Sequence, residues 1–323
     1  MLYVKQQLFH GILDAKPIER YTQTTTFANP FCYWLQMNGV NRMNYENEVK
    51  ARVGIIGLGA VGSAFAHAMS FFYPCVGYDI KGKGSWNEIL KAQVVFICVQ
   101  TPGGLDDRLD CSAVDDVLSR LTESRFQGIC VVKSTVRVGY MDSAKARFPR
   151  LHLVYMPEFL REKSNFQWSV NPDRIVISGD ETALDEVLKL FSWVDGLDET
   201  VPVLRMSFLD AEIGKLAHNA YIATKVSFTN EMERISREHG ANPSSVMSVI
   251  HADRRVKSRE HLRPGLGAYG GKCVPKDTRE LINASHNTPL LRAVETVNEN
   301  VPDSRLVVSV KSAVPQSAEN RSH

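Results

Sequence analysis

The sequence predicts an α/β fold: a doubly wound parallel sheet followed by an all-α region. Two observations predict it. Between Arg52 and Gly179, short apolar runs (RVGIIG, CVGYDI, VVFICV, GICVVKS, LHLVYM, RIVISG) alternate with amphipathic stretches, the pattern of strands joined through crossover helices. From Ser207 the β-type runs stop and helical segments follow. With 323 residues, 44% of them hydrophobic and 23% charged, the chain can bury a sizeable core in two domains.

The elements follow in order. Residues 1–50, with TQTTTFANPF, show no clear period and are read as an N-terminal extension. Residues 51–205 carry the sheet, with a helix through Met69 after its first strand. Residues 206–300 are helical. The stretch SFLDAEIGKLAHNAYIATKVSFTNEMERISREHG is one long helix, with Ser207 and Asp210 as a capping pair and Gly240 as its stop. PSSVMSVIH is a second helix, then comes a Gly-rich loop at 265–271, a helix from Pro275 to Ala284 and another from Pro289 to Asn300. The tail 301–323 is polar and frayed. No internal repeat is evident.

Composition excludes several classes. Lys+Arg 38 against Asp+Glu 36 leaves a net charge of +2, too balanced for a nucleic-acid or anionic-membrane surface. The apolar run Val94-Val95-Phe96-Ile97-Cys98-Val99 is far short of the roughly 20 residues of a membrane span. The N-terminus lacks the apolar block of a signal peptide. The 6 cysteines are scattered without paired spacing, as expected for reduced thiols in the cytoplasm. The histidines make no ligand spacing with Cys or acids, so no metal is expected.

Gly57-Leu58-Gly59-Ala60-Val61-Gly62 lies between the strand RVGIIG and a helix. Here the first glycine makes the tight turn, the second lets backbone approach a pyrophosphate, and the third lets helix and strand pack closely. Asp79 ends the next strand, 22 residues after Gly57, where an acid hydrogen-bonds the adenosine ribose and repels a 2′-phosphate. The residues therefore predict a Rossmann-type domain with NAD as cofactor.

Lys215 and Asn219 are four apart and share a helix face. Ile213, Leu216, Ala217, Ala220 and Ile222 make that helix apolar nearly all round, so a lysine in its middle needs a reason. A cleft-facing Lys beside an amide can hold a developing alkoxide. In Gly270-Gly271-Lys272-Cys273-Val274-Pro275-Lys276-Asp277, Pro275 suits only a first helical turn. Cys273 then sits at a helix N-terminus between Lys272 and Lys276, a setting that favours the nucleophilic thiolate, and Asp277 can orient a water or the lysine. Glu158 and Glu162 follow the strand LHLVYM, and Lys133-Ser134-Thr135 ends the strand GICVV, both at the sheet edge where ligands bind in such folds.

From about Arg52 to Asn300 the chain resembles the UDP-glucose/GDP-mannose dehydrogenase family, with motifs in the family's order. KSTVRVG is similar to STVPVG, CVQTP to VPTP, and MPEFLRE to PEFLRE. AEIGKLAHNAYIATKVSFTNE resembles the catalytic-lysine helix and GLGAYGGKCVPKDT the catalytic-cysteine loop. The resemblance implies a two-step oxidation of a sugar C6 alcohol to a carboxylate, with two NAD reduced per turnover. It implies that Lys215 and Asn219 stabilise oxyanions, that Cys273 carries a thiohemiacetal and then a thioester, and that Thr135, Glu162 and Asp277 position the hydrolytic water. It places Gly57, Gly59, Val61, Gly62, Asp79, Thr101, Thr135, Glu162 and Lys276 on the cofactor. Glu158, Phe159, Leu160, Lys215, Asn219, Arg255 and Gly270 fall on the substrate side, Arg255 reaching it across a dimer.

Some features depart from the family pattern. Arg137 stands where proline is usual and Lys257 where glycine is common. The stretch from Asp79 to Val94 is short, as if one strand–helix element were absent. The chain ends soon after PLLRAVETVNEN, so a compact form without a C-terminal nucleotide-binding domain is expected. UDP-glucose is the expected substrate, with GDP-mannose the alternative. A β-hydroxyacid dehydrogenase, which needs no nucleophilic cysteine, and a silent NAD-binding partner subunit are the competing readings. The helix 208–239, apolar around most of its circumference, predicts a two-fold homodimer.

Overall fold

The structure, a computed structural model, describes residues 51–159, 166, 169, 171–192, 194 and 197–302. The expected extension 1–50 and tail beyond 302 lie outside them. Two compact units divide the chain: one holds residues up to 102 together with 110–215, the other 103–109 and the residues from 216 onward.

The strands of the first unit are β1 (Val53–Ile56), β2 (Cys75–Asp79), β3 (Lys83–Gly84), β4 (Val94–Ile97), β5 (Ile129–Val132), β6 (His152–Tyr155), β7 (Ile175–Gly179) and β8 (Val203–Arg205). They form one sheet in the order β3-β2-β1-β4-β5-β6-β7-β8. β2, β1, β4, β5 and β6 are parallel, as expected. Two junctions are not, so the sheet is mixed rather than all-parallel: β3 runs antiparallel to β2, and β7 antiparallel to β6. The cause at the first is chain length. Only residues 80–82 separate β2 from β3, and a parallel crossover takes a dozen or more. β3 and β8 are short strands that the apolar-run pattern did not reveal.

Helices α1 (Ala60–Ser70), α2 (Trp86–Ile89), α3 (Ser112–Glu123), α4 (Tyr140–Arg147) and α5 (Glu181–Lys189) connect the strands. Every residue of β1 and β4 is buried, which is why they read as unbroken apolar runs. Phe65 and Met69 of α1 pack with Val53, Ile55, Phe96, Val131 and Val154, the Phe65 and Phe96 rings meeting edge-on at 4.8 Å. Each such side chain contributes about 1.5–3 kcal/mol on burial.

The long helix α6 (Phe208–Glu238) starts as its sequence requires. The Asp210 N–H donates to Ser207 Oγ at 3.1 Å, and Ser207 Oγ donates to the Asp210 carboxylate at 2.6 Å. Residues 208–215 belong to the first unit, so α6 spans the division at Lys215/Leu216. Glu212 shows the reason. Fully buried, it accepts the backbone N–H groups of Gly139 and Met141 at 2.6 Å each. These are orphan donors at the N-terminus of α4, whose cap, Gly139, has no side chain to offer.

The second unit contains the rest of α6, α7 (Pro243–His251), α8 (Val274–Asn283) and α9 (Pro289–Glu299). Asn242 caps α7 by accepting from Ser244 N at 2.9 Å and Ser245 N at 3.3 Å. Residues 103–109 join this unit through Glu280 of α8, which is fully buried. It accepts from the Arg108 guanidinium at 3.0 and 3.1 Å and from Leu109 N at 2.7 Å.

Candidate active site

In the first unit the expected cofactor residues gather at the carboxyl ends of the parallel strands. β1 and β4 are neighbours from which the chain proceeds to opposite sides of the sheet, the switch point where α/β folds bind ligands. Gly57 follows β1 with φ +91°, and a Cβ there would lie 2.7 Å from Cys98 O. A Cβ on Gly62 would lie 1.8 Å from Gly57 O. Neither position admits another residue without backbone movement. Gly59 differs: a Cβ there meets nothing within 4 Å. It caps α1 with no side-chain bond, and the first turn holds no acid, leaving a positive helix end with open space in front of it.

Asp79 ends β2. One of its oxygens accepts Leu58 N at 2.8 Å, tying the acid to the glycine loop, and the other accepts Lys81 N at 2.9 Å. Burial alone would raise its carboxyl. The two backbone hydrogen bonds and the charges of Lys81 and Lys83 outweigh that and hold it below the usual carboxylate range. Val61 is half-buried at the start of α1. Thr101 is buried and donates to Thr135 O at 2.6 Å, bridging the ends of β4 and β5.

Lys215 is buried, its Nζ 4.9 Å from the centre of the Phe159 ring, and the Arg174 guanidinium lies 4.1 Å from the same ring. Glu158 accepts from Lys133 Nζ at 2.8 Å. Lys133 is only 5% exposed, so Glu158 is the counter-ion that a buried ammonium needs. Leu160 and Glu162 lie outside the described residues.

In the second unit, Cys273 is exposed and forms the N-cap of α8, with Pro275 in the first turn. Asp277, fully buried, accepts from Asn219 Nδ2 and from Lys276 Nζ, each at 2.6 Å. Asn219, expected to hold an oxyanion, thus also orients a carboxylate, and Lys276 is held by the acid next to it. Gly270 is exposed in the loop before Cys273. Arg255 projects outward and pairs with Asp253 at 2.6 Å. Burial pushes the thiols of Cys75, Cys98 and Cys130 up to about 12. Cys32 lies outside the described residues.

Glu212, Glu280 and the Lys133–Glu158 pair were not recognised as structural anchors in the sequence. Their one signal is a charge where burial is expected; Glu212, for example, precedes buried Leu216 by one helical turn. Among the described residues, no group of three or more His, Cys, Asp or Glu could hold a metal, and no helix is long and apolar enough to cross a membrane.

A glycine-rich turn at the switch point of a run of parallel strands, closed by an acid at the end of the next strand, defines a Rossmann-type dinucleotide-binding protein. Residues 79–192 match the NAD binding domain of the UDP-glucose/GDP-mannose dehydrogenase family, and residues 209–300 match that family's central domain. The chain belongs to the UDP-glucose/GDP-mannose dehydrogenase family. It is 33% identical over 209 residues to a UDP-glucose 6-dehydrogenase of Campylobacter jejuni, covering 63% of this chain and 52% of that protein. It is 36% identical over 223 residues to a UDP-glucose 6-dehydrogenase of Pseudomonas aeruginosa, covering 64% and 48%. The chain therefore spans about half the length of the curated relatives it matches. Among solved structures, a UDP-glucose dehydrogenase from Pyrobaculum islandicum superposes with a TM-score of 0.70 at 27% identity, over 78% of this chain and 69% of that one.

The cofactor is NAD, and the cradle fits it. Open space over Gly59 and the uncapped N-terminus of α1 suit a pyrophosphate, and each Asp79 oxygen keeps a lone pair for a ribose hydroxyl.

Proposed function

We propose that the chain is a nucleotide-sugar 6-dehydrogenase that takes the C6 alcohol of its substrate, UDP-glucose foremost, through an aldehyde to a carboxylate. The observation that carries this reading is Cys273, an exposed thiol capping α8 one turn ahead of the buried Asn219–Asp277 pair and its Lys276 partner. NAD, when bound, supplies the hydride acceptor for both oxidations.

The chain's own residues supply the rest. Lys215 and Asn219 contribute the ammonium and amide that stabilise negative charge on the substrate oxygen. The Cys273 sulfur adds to the aldehyde carbon as its proton passes to the oxygen, giving a thiohemiacetal, and loss of hydride from that carbon together with the hydroxyl proton leaves a thioester. Water then cleaves the carbon–sulfur bond, releasing the carboxylate and the thiol. Asp277, Thr135 and Glu162 position that water, while Glu158, Phe159, Leu160, Gly270 and Arg255 form the substrate side. UDP-glucose is preferred over GDP-mannose because the relatives of 33% and 36% identity bear the name UDP-glucose 6-dehydrogenase.

On α6, Tyr221, Phe228 and Ile235 recur every seven residues and are 62%, 41% and 39% exposed. An apolar row of this period suits a homodimer seam, and a monomer in sedimentation at micromolar concentration would exclude it. The described cysteines are all free thiols, which favours a reducing, cytoplasmic setting.

The test is the NADH formed per UDP-glucose consumed, with Cys273→Ser in parallel. Two NADH per sugar, collapsing in the variant, is expected. Turnover that survives loss of the thiol would overturn the thioester route and favour a simple alcohol dehydrogenase.

A further inference from the structure

The β2–β3 hairpin surrounds the adenosine-ribose acid with cations. Asp79 and Lys83 are direct cross-strand partners, so their side chains leave the same face of the sheet with Cβ atoms about 5 Å apart. Lys81 lies at the tip, its backbone N–H bonded to the Asp79 carboxylate at 2.9 Å. Both lysine side chains are exposed. The antiparallel return of β3 brings Lys83 here, since a crossover helix after β2 would have carried the chain away from the acid.

In dinucleotide sites an acid at this position bonds the ribose 2′-hydroxyl and repels a 2′-phosphate, whereas a nearby cation accommodates the phosphate. Here one carboxylate is flanked by two ammonium groups, a local sum of +1, so a phosphate of charge about −1.5 to −2 meets net attraction. The carboxylate is also partly spent on two backbone donors.

We infer that Lys81 and Lys83 form a 2′-phosphate subsite beside Asp79, so that the chain takes NADP as well as NAD. The inference rests on the dinucleotide site already described and extends its ligand range. Lys83 supplies the charge across the strand pair and Lys81 the charge at the turn, while Asp79 retains the hydroxyl contact that NAD uses.

The experiment is calorimetric titration of the full chain with NAD+ and NADP+ in the absence of any sugar, repeated with Lys81→Ala/Lys83→Ala. For the unaltered chain, the two dissociation constants are expected within about tenfold of each other. In the double variant the ratio of the NADP+ constant to the NAD+ constant rises by about tenfold or more. Raising salt from about 50 to about 500 mM weakens NADP+ more than NAD+. NAD+ binding with no NADP+ binding would overturn the subsite, as would a ratio unchanged by the double substitution. Binding of neither would overturn the dinucleotide site itself, an outcome distinct from failure of the subsite alone.

Discussion

Asn219 donates from Nδ2 to the Asp277 carboxylate at 2.6 Å, with both side chains buried. Lys276 covers the other carboxylate oxygen, so removing the amide leaves a buried charge half-satisfied. Asn219→Ala is expected to lower unfolding free energy by about 1–3 kcal/mol, read from the urea midpoint. An unchanged midpoint would show that the amide's bond adds nothing to the fold.

The two outer glycines of the fingerprint and the middle one should separate folding from binding. Gly57→Ala forces a Cβ to 2.7 Å from Cys98 O at positive φ, and should destabilise the apo chain by about 1–3 kcal/mol. Gly59→Val meets no protein atom within 4 Å at its Cβ, so the apo melting temperature should hold while NAD+ affinity falls by about tenfold or more. Equal melting losses in the two variants would contradict this division.

Thiol chemistry should be selective. Cys75, Cys98 and Cys130 sit near 12 because burial disfavours their thiolates, leaving about one thiolate in ten thousand at pH 8. Cys273 is exposed. Peptide mapping after brief alkylation of the native chain should find Cys273 labelled and those three protected until urea is added.

Glu280 holds residues 103–109 through Arg108 and Leu109. Arg108 is 31% exposed, so water screens part of the ion pair. Glu280→Ala should cost about 1–3 kcal/mol, chiefly from the buried donors left behind. Glu280→Gln, which keeps an acceptor, should cost less. Faster proteolytic cleavage within 103–109 for Ala than for Gln is the expected pattern, and equal rates would mean the loop is held by something else.

Burial against Phe71 and Phe166 lowers the pKa of His67 from its ordinary 6.5. The unfolded chain then binds this proton more readily than the folded one, so stability present above about pH 6.5 is lost as pH falls through it. His67→Gln should flatten the drop in melting temperature between about pH 7.5 and 5.5. A drop of the same size in the variant would assign the acid sensitivity elsewhere.

The parallel core and the long helix were legible because each depends on local pattern: unbroken apolar runs for strands buried on both faces, and helical periodicity with Ser207 and Asp210 at its start. β3 and β8 were not legible. With only two and three residues, they exist because longer neighbours offer them free backbone groups, and no run of that length carries a period. The antiparallel sense of β7 likewise depends on where the chain re-enters the sheet.

At the site, the sequence alone determined the residue types that chemistry demands: glycines at the turn, an acid at the end of β2, and a cysteine ahead of a helix-starting proline. Steric and capping rules act over a few residues, so spacing suffices to read them. Only the tertiary structure decided which charges are paired. It set Asn219 against Asp277 across 58 residues, Glu280 against Arg108 across 172, and Lys83 opposite Asp79. A buried charge must be neutralised by whatever the fold brings beside it, and that partner lies far away in sequence, where no local pattern reaches.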